Sequence, residues 1–191
     1  MLKLLTLQTN NIHTMKIRTV KIPTDSMIAT YLPVNYHDTF LCTINNTENI
    51  SPDDIMVAFW TTMPKWLDIL FKIRNLLAKP FGLQTGKRST EELENAIRNG
   101  TEQGLMSVVE KSVNETIISL DDKHLKAYIS VYIEEEKDKS IYITTLVKFH
   151  NMLGVIYFYA ICPFHIMVVR NMFKSAMKNL LLSNKKEYEQ T

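Results

Sequence analysis

Along this chain the spacing of apolar residues changes several times, and each change marks an element. Residues 36–44, "YHDTFLCTI", set Tyr36, Phe40, Cys42 and Ile44 on one side and His37, Thr39 and Thr43 on the other, the alternation of a strand with one wetter face. Upstream, "KIRTVKIP" alternates imperfectly and stops at Pro23, which predicts a short edge strand or an extended arm. "SPDDIMVAFW" opens a helix: Ser51 suits the N-cap, Pro52 the first helical position, and Asp53 and Asp54 face the positive end of the dipole. Pro64 ends that helix and starts a second, "PKWLDILFKIRNLLAK". Its Trp66, Ile69, Leu70, Ile73 and Leu77 share one stripe, and "PFG" at 80–82 stops it. "STEELENAIRNG" places Ser89 and Glu92 at capping-box spacing and ends at Asn99 and Gly100, which predicts a short polar helix or helical loop inserted at the surface.

After Gly104 the period falls from about 3.6 to 2. From Leu125 to Ile133 the odd positions are Leu, Ala, Ile, Val and Ile, while Lys126, Tyr128, Ser130 and Tyr132 alternate with them. "EEEKDKS" reads as a charged hairpin connection, and "IYITTLVKF" resumes with Ile141, Ile143, Val147 and Phe149 on its odd face. A strand or two within residues 105–120 would complete an antiparallel meander.

The last pattern is the most ambiguous. No residue from 152 to 169 carries a fixed charge, which reaches the minimum length for a membrane span. The continuation is amphipathic: Val169, Met172, Phe173, Ala176, Met177 and Leu180 fall in one arc, and Arg170, Asn171, Lys174, Ser175, Lys178 and Asn179 in the other. A long helix lying across a sheet is therefore expected in place of a span. His165 projects at the edge of the apolar arc, where a histidine is ordinarily bonded to backbone. Pro163 removes one helical hydrogen bond and is expected to kink or start the helix, leaving a carbonyl for His165 or a neighbour to satisfy. Arg74 sits at the margin of the stripe of the second helix, where its ordinary role is to snorkel to the rim and its sharper one to clamp an anion at a cavity mouth.

Strand, two short helices, antiparallel meander and long carboxy-terminal helix is the element order of the helix-grip fold, an α+β class in which a curved antiparallel sheet grips the last helix. In that order the chain resembles the START, polyketide-cyclase and pathogenesis-related ligand-binding proteins (the SRPBCC superfamily). "PKWLDILFKIRNLLAKPFGL" with "PFHIMVVRNMFKSAM" is similar to the pattern of an uncharacterised domain-of-unknown-function family usually placed there. The matching residues are Trp66, Arg74, Asn75, Phe81, Gly82, Pro163, Phe164 and His165. The resemblance covers roughly residues 36–182 and does not explain the segment before Tyr36; the chain is expected to divide into an arm with a possible edge strand at 1–35, a helix-grip domain at 36–183 and a polar tail at 184–191. The helix-grip fold implies an internal space between sheet and helix; the cavity expected there is lined by Trp66, Phe81, Ile129, Ile143, Phe173 and Met177, with Arg74 and His165, the polar residues at the apolar margins of their helices, as its anchors.

Composition narrows the function without naming it. A chain of 191 residues that is 46% hydrophobic can bury one good core. A net charge of +2 gives no field to gather nucleic acid, and the stripe Arg170, Lys174, Lys178 has the spacing of a solvated helix face. Cys42 and Cys162 lie far apart among apolar residues without metal-ligand spacing, so free buried thiols, no metal and no cofactor are expected. The Asn-x-Ser/Thr triplets at Asn45, Asn49, Asn99 and Asn114 matter only in a secreted protein. The amino terminus shows no signal-peptide core, and a reduced cytoplasmic setting is expected. The ten methionines suit irregular packing or a tolerant pocket wall. No phosphate loop, zinc spacing or nucleophile elbow occurs. The first expectation is a binding or carrier domain for a small apolar or lipid-like ligand. The second is a cyclase-like or other non-hydrolytic enzyme, for which Asp38, Arg74, Tyr142 and His165 would be a usable set if they converged. The third is a membrane-associated or partner-binding protein. Ligand, catalytic residues and oligomeric state are not read from the sequence.

Overall fold

The computed structural model describes residues 15–45, 49–62 and 89–188. Among them the elements run β1 (Arg18–Thr19), a 3-10 turn (Met27–Tyr31), β2 (Tyr36–Asn45), α1 (Pro52–Thr61), α2 (Thr90–Asn99), β3 (Glu102–Gln103), β4 (Met106–Lys111), β5 (Glu115–Asp121), β6 (Leu125–Glu135), β7 (Asp138–Phe149) and α3 (Met152–Tyr188). The seven strands form one antiparallel sheet in the order β1-β2-β7-β6-β5-β4-β3. The long helix α3 packs on one face of it. This α+β arrangement is that of the helix grip. The second helix expected at residues 64–79 lies outside the described residues.

Strand alternation builds the inner face. Phe40 stands opposite Ile143, which on its other side stands opposite Val131; Cys42, Ile141 and Ile133 make the next row. Because successive side chains in a strand point to opposite faces, these rows meet Val169, Met172, Phe173, Ala176 and Met177 of α3, all at most 5% exposed. The helical phase expected for residues 169–180 therefore holds.

Helix α1 begins as its sequence dictates. The Ser51 hydroxyl accepts from the Asp54 amide at 3.2 Å and the Asp54 carboxylate accepts from the Ser51 amide at 3.1 Å, a reciprocal capping box. Two expectations for α2 need correction. Ser89 is its N-cap but makes no side-chain capping bond, and Glu92 instead accepts from the Gln103 side chain at 2.9 Å. Nor is α2 a surface insertion: Leu93, Ala96 and Ile97 enter the main core, with only the opposite face polar. Lys111 ties the two helices together, pairing with Asp53 of α1 at 2.6 Å and donating to the Ile97 and Arg98 carbonyls at the end of α2, each at 3.0 Å. Its charge complements the carboxyl end of α2, while at the amino end of α1 it meets the Asp53 carboxylate.

The charged hairpin also differs from expectation. Glu134, Glu135, Asp138 and Lys139 belong to the strands, and Lys139 pairs with Glu135 at 2.8 Å, which leaves Glu136 and Lys137 as the connection. Pro163 lies inside α3, not at its start. The carbonyl it leaves without a helical partner is that of Tyr159. Both residues are on the exposed side, where water can satisfy the oxygen, so His165 is not required there.

Residues 15–35 pass around the β2 edge of the sheet. Met15 and Ile17 join the inner core, whereas Ile28 packs with Ile117 and Leu146 on the outer face. The outer face is thus covered over part of its area, and its buried polar residues pair with one another, as Thr39 and Thr144 do through their hydroxyls at 3.1 Å.

Candidate functional site

The inner row of β2 runs Tyr36, Asp38, Phe40, Cys42, Ile44, and Asp38 is its one charged member. Pairing with β7 puts Asp38 opposite Thr145, in the row that continues to Ile129. A carboxylate here faces the helix instead of water. The residues that meet it come from one face of α3, where Phe158, Cys162 and His165 recur at helical spacing.

His165 Nε2 lies 3.2 Å from Asp38 Oδ2, with the two side chains 19% and 8% exposed. The Tyr36 hydroxyl donates to the same oxygen at 2.9 Å. His165 approaches off the hydrogen-bond direction. As a result Nε2 and the second carboxylate oxygen, Asp38 Oδ1, are both buried without a hydrogen-bond partner among the described residues. Leaving such atoms unsatisfied costs about 1–3 kcal/mol each. Aromatic rings enclose the group: Phe158 stands 4.7 Å from Tyr36 and 6.0 Å from His165 between centroids, and Phe149 is 5.5 Å from Phe158. The Tyr36 phenol is raised well above its ordinary pKa, first by burial, then by the Asp38 carboxylate that accepts its proton bond, and further by Cys162 beside it. Tyr36 is therefore a fixed donor.

Of the set Asp38, Arg74, Tyr142 and His165, the structure brings together Asp38 and His165. Tyr142 is on the outer face, where its hydroxyl donates to Glu134 at 2.9 Å and its ring stacks on Tyr132 at 5.8 Å. Arg74, Trp66 and Phe81 lie outside the described residues. Ile129, Ile143, Phe173 and Met177 are buried in the main core between sheet and helix. Tyr36 and Cys162 were not anticipated at the site. Their signal was present, since Asp38 interrupts an apolar row that Tyr36 begins and Cys162 sits one turn from His165. Among the described residues no group of three or more His, Cys, Asp or Glu could hold a metal ion.

Comparison with known proteins gives a family and no activity. The match covers residues 31–172 and is to DUF2867, described as protein of unknown function. The chain belongs to the DUF2867 family. No curated protein and no solved structure matches it. The family segment takes in strands β2 to β7 and α3 as far as Met172, and so contains Tyr36, Asp38, Cys162 and His165.

Proposed function

We propose that this DUF2867 protein binds a small apolar or lipid-like ligand between the sheet and α3, and that Asp38 and His165 hold the ligand's polar group. The observation that carries the reading is the pair of unpartnered buried atoms, Asp38 Oδ1 and His165 Nε2, inside an aromatic surround. A hydroxyl or amine on an apolar ligand would donate to Oδ1, and the rings would receive the rest of it. The element order supports membership of the START/polyketide-cyclase-like superfamily, whose members bind ligands in that place. Arg74 remains a proposed second anchor, and Trp66, Phe81, Ile129, Ile143, Phe173 and Met177 proposed apolar contacts. Free cysteines at Cys42 and Cys162 agree with a cytoplasmic setting.

Native mass spectrometry of the purified protein tests this reading, followed by titration with a long-chain alcohol and with the matching carboxylate. The alcohol should bind better, and Asp38→Asn should weaken it by about 1.5–3 kcal/mol, the range for a hydrogen bond to a charged group. Equal binding of both probes by wild type and variant would overturn the anchor assignment.

A second reading, acid–base catalysis, is favoured by one specific observation: two titratable side chains stand within hydrogen-bond reach in a largely water-excluded place. In that case His165 would accept a substrate proton and Asp38 would stabilise the resulting imidazolium. A ligand recovered chemically unchanged after long incubation with the protein speaks for the carrier. A changed mass that His165→Gln abolishes, with binding retained, speaks for the enzyme.

A further inference from the structure

Helix α3 has two faces, and the fold uses one. On the packed side Tyr157 and Phe158 are buried near its start, and Met172, Phe173, Ala176 and Met177 farther along. On the opposite side Met152, Ile156, Tyr159, Phe164 and Met167 are 71%, 57%, 57%, 46% and 41% exposed. Projected at 100° per residue, these five and Pro163 share one arc that carries no charge for about four turns. The same arc then continues as Arg170, Lys174 and Lys178, all exposed. No aspartate or glutamate occurs from 152 to 186. The outward face is therefore apolar in its first half and basic in its second, with one sign of charge throughout.

Length and composition alone would let α3 cross a bilayer: its most apolar window has a mean hydropathy of 2.0, with 22% of that window buried. The packed face argues against crossing. It is engaged at both ends of the helix, so a span would strip Phe173 and its neighbours from the sheet. A helix with one face committed to its own protein and the other apolar and basic can lie in an interface plane.

We propose that α3 docks the protein on the surface of an anionic lipid bilayer, with the Met152 to Met167 face sunk at the headgroup boundary and the basic turns on the headgroups. Charge complementarity selects this occupant. A second copy on the same face would either oppose like charges or set basic turns on apolar ones, and neither arrangement pairs them. An anionic leaflet meets both halves at once. The proposal stands apart from the ligand reading, and either can fail alone.

The test is co-sedimentation of the full chain with vesicles of phosphatidylcholine, with and without phosphatidylserine. Binding is expected with phosphatidylserine and should fall as salt is added. Lys174→Glu with Lys178→Glu should weaken it at least about tenfold, since each basic residue near an anionic surface is worth roughly a fivefold change in affinity. Ile156→Asp should abolish it, and Tyr159→Asp serves if the first variant fails to fold by circular dichroism. Arg170 is left intact because it also donates to the Ile17 carbonyl at 2.9 Å. Three results would overturn the proposal: no binding to either vesicle, with or without a wild-type dimer that Ile156→Asp dissociates; equal binding with and without phosphatidylserine; or equal binding by folded variants and wild type.

Discussion

Gly154 in the first turn of α3 meets the backbone of the β5–β6 connection so closely that a Cβ there would stand 2.1 Å from the His124 carbonyl oxygen. The approach is fixed by hydrogen bonds around it. The Asn151 side chain accepts from the Gly154 amide and donates to the Lys123 carbonyl, each at 3.1 Å, and the His150 amide donates to the His124 carbonyl at 2.9 Å. These bonds anchor the start of the helix that carries Phe158, Cys162 and His165.

Gly154→Ala is consequently expected to destabilise the protein, although alanine is the better helix former by about 1 kcal/mol. The clash is with backbone, which has no rotamer to change, so the helix start or the turn must move. A loss of about 1–3 kcal/mol is the usual range for such overpacking. Urea unfolding measures it, and a stabilised variant would mean that the two segments do not touch.

Glu115 is 1% exposed on the outer face and accepts from the Ser26 hydroxyl at 2.7 Å, the Met27 amide at 2.6 Å, the Ile28 amide at 3.3 Å and the Ser130 hydroxyl. The two amides open the 3-10 turn, where backbone donors have no partner within the turn. Glu115→Ala should cost about 3–5 kcal/mol, because it leaves several buried neutral donors without an acceptor at about 1–3 kcal/mol each. Glu115→Gln should cost less, because one acceptor oxygen remains. The loss should be accompanied by faster tryptic cleavage at Lys21. Destabilisation with unchanged cleavage there would show that other contacts hold residues 15–35 to the sheet.

These two contacts mark the limit of what the sequence allowed. Strands 36–44, 125–133 and 141–149 were legible because their inner faces are apolar at alternate positions, interrupted at Asp38 and Thr145, against a sheet-covering helix. Glu115 carries no such signal, since nothing in its own neighbourhood says that residues 26–28 supply its donors. The outer face was obscure for the same reason: Thr39, Ser130 and Thr144 look solvated, yet they are buried and satisfy one another or Glu115. Half of the site could be read locally. Asp38 breaks an apolar row, and Cys162 and His165 share a helix face. What could not be read is that the two halves meet, because that depends on how α3 crosses the sheet, which no local periodicity encodes.

Cys42 is fully buried in the inner face, and burial pushes its thiol up to about 12. At pH 8 the folded protein holds no appreciable thiolate at this position, so iodoacetamide should label Cys42 only as fast as the chain opens. Peptide mass spectrometry, with and without urea, reads this directly. The sign for stability follows. The unfolded thiol ionises near pH 8.5–9 while the folded one does not, so its contribution is complete below that pH and is lost as pH rises toward about 12. Labelling of Cys42 at the unfolded rate in native buffer would mean that the inner face is open to water.

Phe173 and Lys174 are neighbours in sequence and opposites in environment, and together they test the phase of α3. Phe173 is 0% exposed in the main core, in the same cluster as Phe40, Ile143 and Met177, whereas Lys174 points to solvent. Phe173→Ala removes a large apolar side chain and leaves a cavity that a sheet on one side and a helix backbone on the other cannot close. The expected cost is about 3–5 kcal/mol. Lys174→Ala loses no packing and replaces lysine with a slightly better helix former, so stability should change by less than about 0.5 kcal/mol. Denaturant midpoints of both variants decide it, read with the slope, because an unchanged slope says that the folded state is still compact. Comparable losses at the two positions would require α3 to be turned on the sheet. His165, two turns before Phe173 on the same face, would then be carried away from Asp38.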